Sequence, residues 1–147
     1  MVIDVRKPVL KHAESDTDID RCFPVMAELR THLRRESFVD LIRHLATEGY
    51  RLAYFDEGKD VVAVAGYRIY TNLFLGKHLY VDDLVTSERV RSQGYGKALM
   101  SELREIARTN DCKYFHLDSG TQRDQAHKFY FREGMTVSSF HFSEKLK

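Results

Sequence analysis

The chain has two cysteines, two prolines and almost no net charge across 147 residues. Cys22 and Cys112 are far apart and show no CxxC spacing, so neither a disulfide framework nor a zinc site is expected. No metal is expected at all. Reduced thiols suit a cytoplasmic protein. Lys and Arg number 23 and Asp and Glu 22, a formal net charge of +1. Nucleic-acid binding would call for a strong basic excess or stripe, so no nucleic-acid partner is expected. No apolar run approaches the roughly 20 residues of a membrane helix, which argues against a membrane partner. The first seven residues lack the apolar stretch of a signal peptide. A cytoplasmic location follows as the expectation.

What the chain does have is 43% hydrophobic and 31% charged residues, the balance of an ordinary globular protein. A chain of this length buries about two-thirds of the surface it exposes when unfolded, so it can build a core unaided. There are no internal repeats and no Pro/Gly/Ser-rich linker, and a single domain over 1–147 is expected.

The hydrophobic spacing gives an element order. Val2 to Val5 alternates weakly and suggests a first strand. Ile19, Phe23, Met26 and Leu33 fall at near-helical spacing after a cap at Asp16 or Thr17. Pro24 predicts a kink in that helix or a late start. A second helix should follow Ser37, with Asp40 completing a capping-box-like start and Gly49 at its end. Three strands come next, Tyr50 to Phe55, Val61 to Tyr70 and Lys77 to Val85. Their short connections imply an antiparallel meander. Gly94 to about Asn110 reads as a helix, Lys113 to Leu117 as a strand, and Thr121 to Glu133 as a helix ended by Gly134. Thr136 to Phe142 reads as a last strand. The result is an α/β (α+β) fold with a mixed, mostly antiparallel central sheet flanked by helices.

The segment Arg91-Ser92-Gln93-Gly94-Tyr95-Gly96-Lys97 lies between a strand and a helix. A helix start offers N–H groups with no internal partner and the positive end of the helix dipole. Glycines at 94 and 96 allow close approach, and Arg91 and Lys97 add positive charge. Together these suit a pyrophosphate. A Walker A loop does not fit, because Arg91 stands where its first glycine belongs and Ala98 where its Ser or Thr belongs. A dinucleotide GxGxxG does not fit either, because Leu99 replaces its third glycine.

Arg-x-x-Gly-x-Gly after Asp82-Asp83-Leu84-Val85-Thr86 resembles the acetyl-CoA signature of the GNAT superfamily of N-acetyltransferases. Ala126-His127-Lys128-Phe129-Tyr130-Phe131-Arg132-Glu133-Gly134-Met135 resembles that family's Ala-x-x-Phe-Tyr-x-x-x-Gly-Phe segment. The resemblance implies acetyl-CoA as co-substrate and transfer to an amine in a ternary complex. It implies that the backbone of Leu84, Val85 and Thr86 holds the pantetheine arm and that Arg91 to Lys97 wraps the pyrophosphate. Ala126 and Phe129 join the cofactor site, and Tyr130 sits near the thioester sulfur. Two positions depart from the pattern. Arg123 stands where many members have Asn, and Met135 replaces phenylalanine.

The chemistry needs a proton acceptor for the amine, a donor for the oxyanion and a proton for the leaving thiolate. Tyr130 is the candidate acid, because a phenol is close in strength to a thiol. Asp82 and Asp83 are the candidate bases or cation anchors. Strand alternation puts Tyr80, Asp82 and Leu84 on one face and Asp83 on the other, unless a bulge changes the parity. His116 and Asp118 alternate on their strand and could reach the same cleft. Nothing near Cys112 in sequence activates its thiol, which argues against an acetyl-cysteine intermediate. A small molecule or a peptide could supply the amine. A rival reading is a non-catalytic acyl-CoA-binding or sensing domain of the same fold. The resemblance also implies pairing through sheet edges or the C-terminal strand, and the apolar run Val137 to Phe142 suits a homodimer.

Overall fold

A computed structural model describes residues 7–147, so the expected strand at Val2 to Val5 lies outside the described residues. The chain divides into two compact units, one up to His116 and one from Leu117 on. In the first unit β1 (Lys11–His12) is followed by α1 (Asp16–Leu29) and α2 (Arg35–Ala46). The meander β2 (Arg51–Glu57), β3 (Asp60–Asn72) and β4 (Gly76–Thr86) comes next. A single 3-10 turn at Glu88–Val90 leads to α3 (Tyr95–Thr109) and then β5 (Tyr114–Leu117). The sheet order is β1-β2-β3-β4-β5, with the first three pairings antiparallel.

The core lies on both sides of this sheet. Ile19, Cys22, Val25 and Met26 of α1 join Phe38 and Ile42 of α2 over Leu52, Tyr54 and Val64. Alternation turns Phe55 the other way, where its ring meets Tyr95 at the start of α3. Leu99, Met100 and Leu103 of α3 are fully buried at spacings of one, three and four residues. Each such side chain contributes roughly 1.5–3 kcal/mol of hydrophobic stabilisation.

Several expected boundaries shift. The cap of α1 is Ser15, whose Oγ accepts the Asp18 N–H at 3.1 Å, not Asp16 or Thr17. The helix starts early and runs continuously through Pro24. The second helix begins at Arg35, two residues before Ser37. Arg35 in its first turn is gripped by Asp20 of α1 at 3.2 and 2.9 Å, while the Ser37 hydroxyl turns back to the Arg34 carbonyl. Gly49, with φ +91°, stands where the sequence placed a helix-ending glycine.

In the second unit α4 spans Asp124–Arg132, not Thr121 to Glu133. The Arg123 N–H bonds to the Gly120 carbonyl at 3.0 Å, so a turn occupies the expected first residues. The last strand is not formed, and residues 135–147 carry no ladder. Val137, Phe140 and Phe142 are strongly exposed there. An apolar run becomes a strand only when a partner edge accepts its hydrogen bonds, and periodicity does not supply one.

Candidate active site

The site residues of the first unit stand on β4 and on the turn that follows it. Asp82 is an extra residue in the β3–β4 ladder, because Gly66 pairs with Asp83 while Tyr67 pairs with Val81. The bulge corrects the simple alternation. Asp83 accepts from the buried Tyr50 hydroxyl at 2.7 Å and from Arg30 Nε at 2.8 Å. Asp82 accepts from Arg68 at 2.9 and 2.8 Å in a bidentate pair. Gly66 and Arg68 are two apart on β3 and so share a face, which puts both carboxylates on one side of the sheet. Arg30 also donates to the Asp82 carbonyl at 2.9 Å and so straps the bulge. Burial, then the neighbouring Asp83 charge, pushes the Tyr50 phenol well above its ordinary range, so it stays a donor.

Beyond the bulge, Leu84, Val85 and Thr86 pair with Ala65, Val64 and Ala63 of β3. On the other edge β5 is only four residues long and begins where the Lys113 N–H meets the Lys77 carbonyl at 2.7 Å. Four strand residues span about 13 Å, so this ladder stops short of Leu84. Backbone groups of 84–86 therefore lie beyond the reach of β5.

The glycine turn has the conformation an anion needs. Ser92 and Gly94 both have positive φ, +68° and +86°. The first helical bond of α3 runs from the Ala98 N–H to the Gly94 carbonyl. The N–H groups of Tyr95, Gly96 and Lys97 precede it and have no acceptor inside the helix. No acidic residue lies in that first turn, and Arg91, Ser92, Gln93 and Lys97 are exposed. A Cβ at Gly94 would meet no atom within 4 Å, which leaves room for a ligand. The Tyr95 hydroxyl is turned away to Glu57 on β2.

His116 and His78 form a second cluster on β5 and β4. His116 Nε2 and His78 Nδ1 are 2.8 Å apart. The His116 ring also packs edge-on to Tyr80 at 5.0 Å, and the His78 ring to Tyr70 at 4.1 Å. The Arg68 guanidinium lies over both tyrosines, 5.6 Å from Tyr70 and 5.8 Å from Tyr80.

In the second unit Ala126, Phe129 and Tyr130 lie on α4 and are partly buried. Burial raises the Tyr130 pKa, and the charge of Arg123 recovers part of that rise. Neither thiol is activated. Burial pushes Cys22 up to about 12 and raises Cys112 as well. Among the described residues no cluster of His, Cys, Asp and Glu could hold a metal ion, and no helix is long and apolar enough to cross a membrane.

Sequence reasoning missed Tyr50, Arg30, Arg68 and His78. Arg68 was within reach, as a charge in an otherwise apolar strand. Folding the hairpin about Phe74 sets it opposite Tyr80 and diagonal to Asp82.

Residues 16–135 match the family model described as the acetyltransferase (GNAT) family. The chain belongs to this family. It is similar to the uncharacterized N-acetyltransferase YhdJ of Bacillus subtilis, at 33% identity over 135 residues, 90% of this chain and 95% of that protein. It is also 28% identical over 142 residues to an aminoalkylphosphonate N-acetyltransferase of Salmonella typhimurium, covering 93% of this chain and 90% of the relative. A solved transcriptional regulator of Bacillus halodurans shares the fold with a TM-score of 0.83 at 19% identity, over 95% of this chain and 99% of that one. The GNAT membership and the mostly antiparallel mixed sheet thus agree with the reading of the two sequence motifs.

Proposed function

We propose that this GNAT protein moves an acetyl group from acetyl-CoA to a primary amine by direct transfer in a ternary complex. One observation carries the reading. The left-handed glycine turn, with its open N–H groups and basic flanks, follows the strand whose bulge gathers two carboxylates, with one 3-10 turn between them. A candidate pyrophosphate turn and a candidate amine-attracting pair thus lie close together in the chain.

In this reading Arg91, Ser92, Gln93, Gly94, Tyr95, Gly96 and Lys97 hold the pyrophosphate, and Leu84, Val85 and Thr86 hold the pantetheine arm through their backbone. In the second unit, Ala126 and Phe129 are the candidates for holding the cofactor. Asp82 and Asp83 draw in the ammonium and orient it, each fixed by an arginine. Tyr130 returns a proton to the thiolate, and its raised pKa means that the phenol carries that proton at neutral pH. The amine nitrogen attacks the thioester carbonyl, the C–N bond forms and the C–S bond breaks. Unactivated thiols favour this route over an acetyl-cysteine.

Calorimetric titration with acetyl-CoA, ATP and NAD tests the donor. Acetyl-CoA alone should bind, with micromolar affinity. Thiol release is then followed with 2-aminoethylphosphonate, spermidine and a lysine peptide. The phosphonate is included because a relative acts on aminoalkylphosphonates. Well-folded protein that ignores acetyl-CoA would overturn the reading. Binding without release from any amine would favour a sensing domain instead.

A further inference from the structure

The two carboxylates proposed to draw in the amine are not the most open charges around them. The side chains of Asp83 and Asp82 are 14% and 24% exposed, while those of their partners Arg30 and Arg68 are 44% and 36% exposed. Arg30 donates from Nε to Asp83 and from Nη2 to the Asp82 carbonyl. Arg68 donates from Nε and Nη2 to the two oxygens of Asp82. In both guanidinium groups Nη1 has no hydrogen-bond partner among the described residues. A guanidinium is planar, so a fork closed on one edge turns Nη1 away from that edge. The rings of Tyr70 and Tyr80, 5.6 and 5.8 Å from the Arg68 guanidinium, help to fix its plane. Oriented cationic donors thus stand beside two anionic acceptors.

We propose that the acceptor is an amine that carries its own acid group, a carboxylate, phosphate or phosphonate, and that Nη1 of Arg68 binds this acid. The proposal rests on the acetyl-transfer reading above. Each oxygen of Asp82 and Asp83 accepts one hydrogen bond from Arg68, Arg30 or Tyr50. A carboxylate oxygen has a second lone pair, so an ammonium still finds acceptors there. Two aspartates and two arginines sum to zero charge, however. A bare ammonium gains from the carboxylates and loses to the guanidinium groups. A diamine brings a second positive charge against them. An amine with an acid group meets both signs with signs of its own.

The strand register gives the acceptor a direction. Asp83 stands opposite Gly66, next to the backbone of 84–86 that is proposed to hold the pantetheine arm. Arg68 lies two residues further along β3, opposite Tyr80 and away from that arm. Two strand residues span about 7 Å. An ammonium at Asp83 and an acid at Arg68 are therefore one short aliphatic chain apart, with the amine at the transfer end. Arg68 is then a specificity-determining residue. Its fork holds Asp82, and its remaining nitrogen selects the far end of the acceptor. An arginine that only braced the bulge would serve every amine alike.

The test is thiol release with four acceptors of similar length: 4-aminobutyrate, 3-aminopropylphosphonate, the neutral 4-aminobutanamide and 1,4-diaminobutane. In the native protein the better of the two acids should exceed the amide by about thirtyfold in kcat/KM, mainly through KM, and the diamine should trail the amide. Which acid leads tells a planar carboxylate from a tetrahedral anion. Arg68→Gln should bring the acids down to the level of the amide and raise the diamine several-fold, because Asp82 then keeps its full charge. Acetyl-CoA affinity, measured by calorimetry, should be unchanged in this variant. Equal loss with all four acceptors in Arg68→Gln overturns the specificity role. The native ratios need no variant and decide the case if Arg68→Gln is unstable. A native protein that treats the amide and both acids alike, or prefers the diamine, overturns the acid-bearing acceptor and leaves the transferase reading standing. So does release from spermidine or the lysine peptide with none from the two acids. Failure of the native protein to bind acetyl-CoA overturns both.

Discussion

Gly94 and Gly49 hold nearly the same left-handed backbone, with φ +86° and +91°, and a Cβ at either would meet no atom within 4 Å. A side chain at either position therefore costs the same kind of strain, roughly 1–2 kcal/mol. Their surroundings differ. Gly94 caps α3 at the proposed pyrophosphate site, while Gly49 merely ends α2. Gly94→Glu and Gly49→Glu should thus lose similar stability in urea melts. Only Gly94→Glu should lose acetyl-CoA affinity, by tenfold or more, because its carboxylate adds negative charge where the phosphates would lie. Equal loss of affinity in both would show that the effect is unfolding and not charge. The glycine turn was legible in the sequence, because glycine spacing and flanking bases are local properties. The partners of Asp82 and Asp83 were not, because Arg30 and Tyr50 lie 53 and 33 residues away from Asp83.

At the scale of elements the bulge in β4 governs the site. Gly66 stands opposite Asp83, and the Tyr50 side chain crosses the space where a Cβ of residue 66 would be. That absence lets the Tyr50 hydroxyl reach Asp83. Gly66→Ala should push the ring off its place and break this bond. Overpacking of this kind costs about 1–3 kcal/mol, and the lost charge-assisted bond adds to it. A Gly66→Ala protein with native stability, and with Asp83 still bonded to Tyr50 in a crystal structure, would contradict this account. Tyr50→Phe separates the two effects, since it removes the bond without the clash. The strands and α3 were readable from period-two and period-3.6 patterns. Helix starts were less so. Ser37 carries a good local capping signal, yet α2 begins two residues earlier, at Arg35, with no side-chain cap. The unformed last strand repeats the lesson. Val137, Phe140 and Phe142 have strand-like composition, but pairing is a property of two segments.

Over the whole molecule, two histidines and two aspartates make stability depend on pH in two stages. His12 and His78 have lowered pKa values, in both cases first through burial, with the Arg51 charge adding at His12. A histidine whose folded pKa is depressed favours the fold while it is neutral. That contribution is complete above the unfolded value of about 6.5 and is lost as pH falls toward the folded value. Asp20 and Asp56 act further down. The Arg35 hydrogen bond holds Asp20 low, and at Asp56 the bonds from Arg21 and Lys11 outweigh a burial effect of opposite sign. Their contribution is present above about pH 3.9 and is lost below it. The urea midpoint should therefore decline first between pH 7 and 5, by the equivalent of roughly 1 kcal/mol or less because His12 is only half-buried, and again below pH 4. His12→Gln keeps a polar partner for the Tyr67 hydroxyl, now 2.7 Å from the ring, and should shrink only the first decline. A flat midpoint from pH 7 to 5 would show that neither histidine is held neutral by the fold.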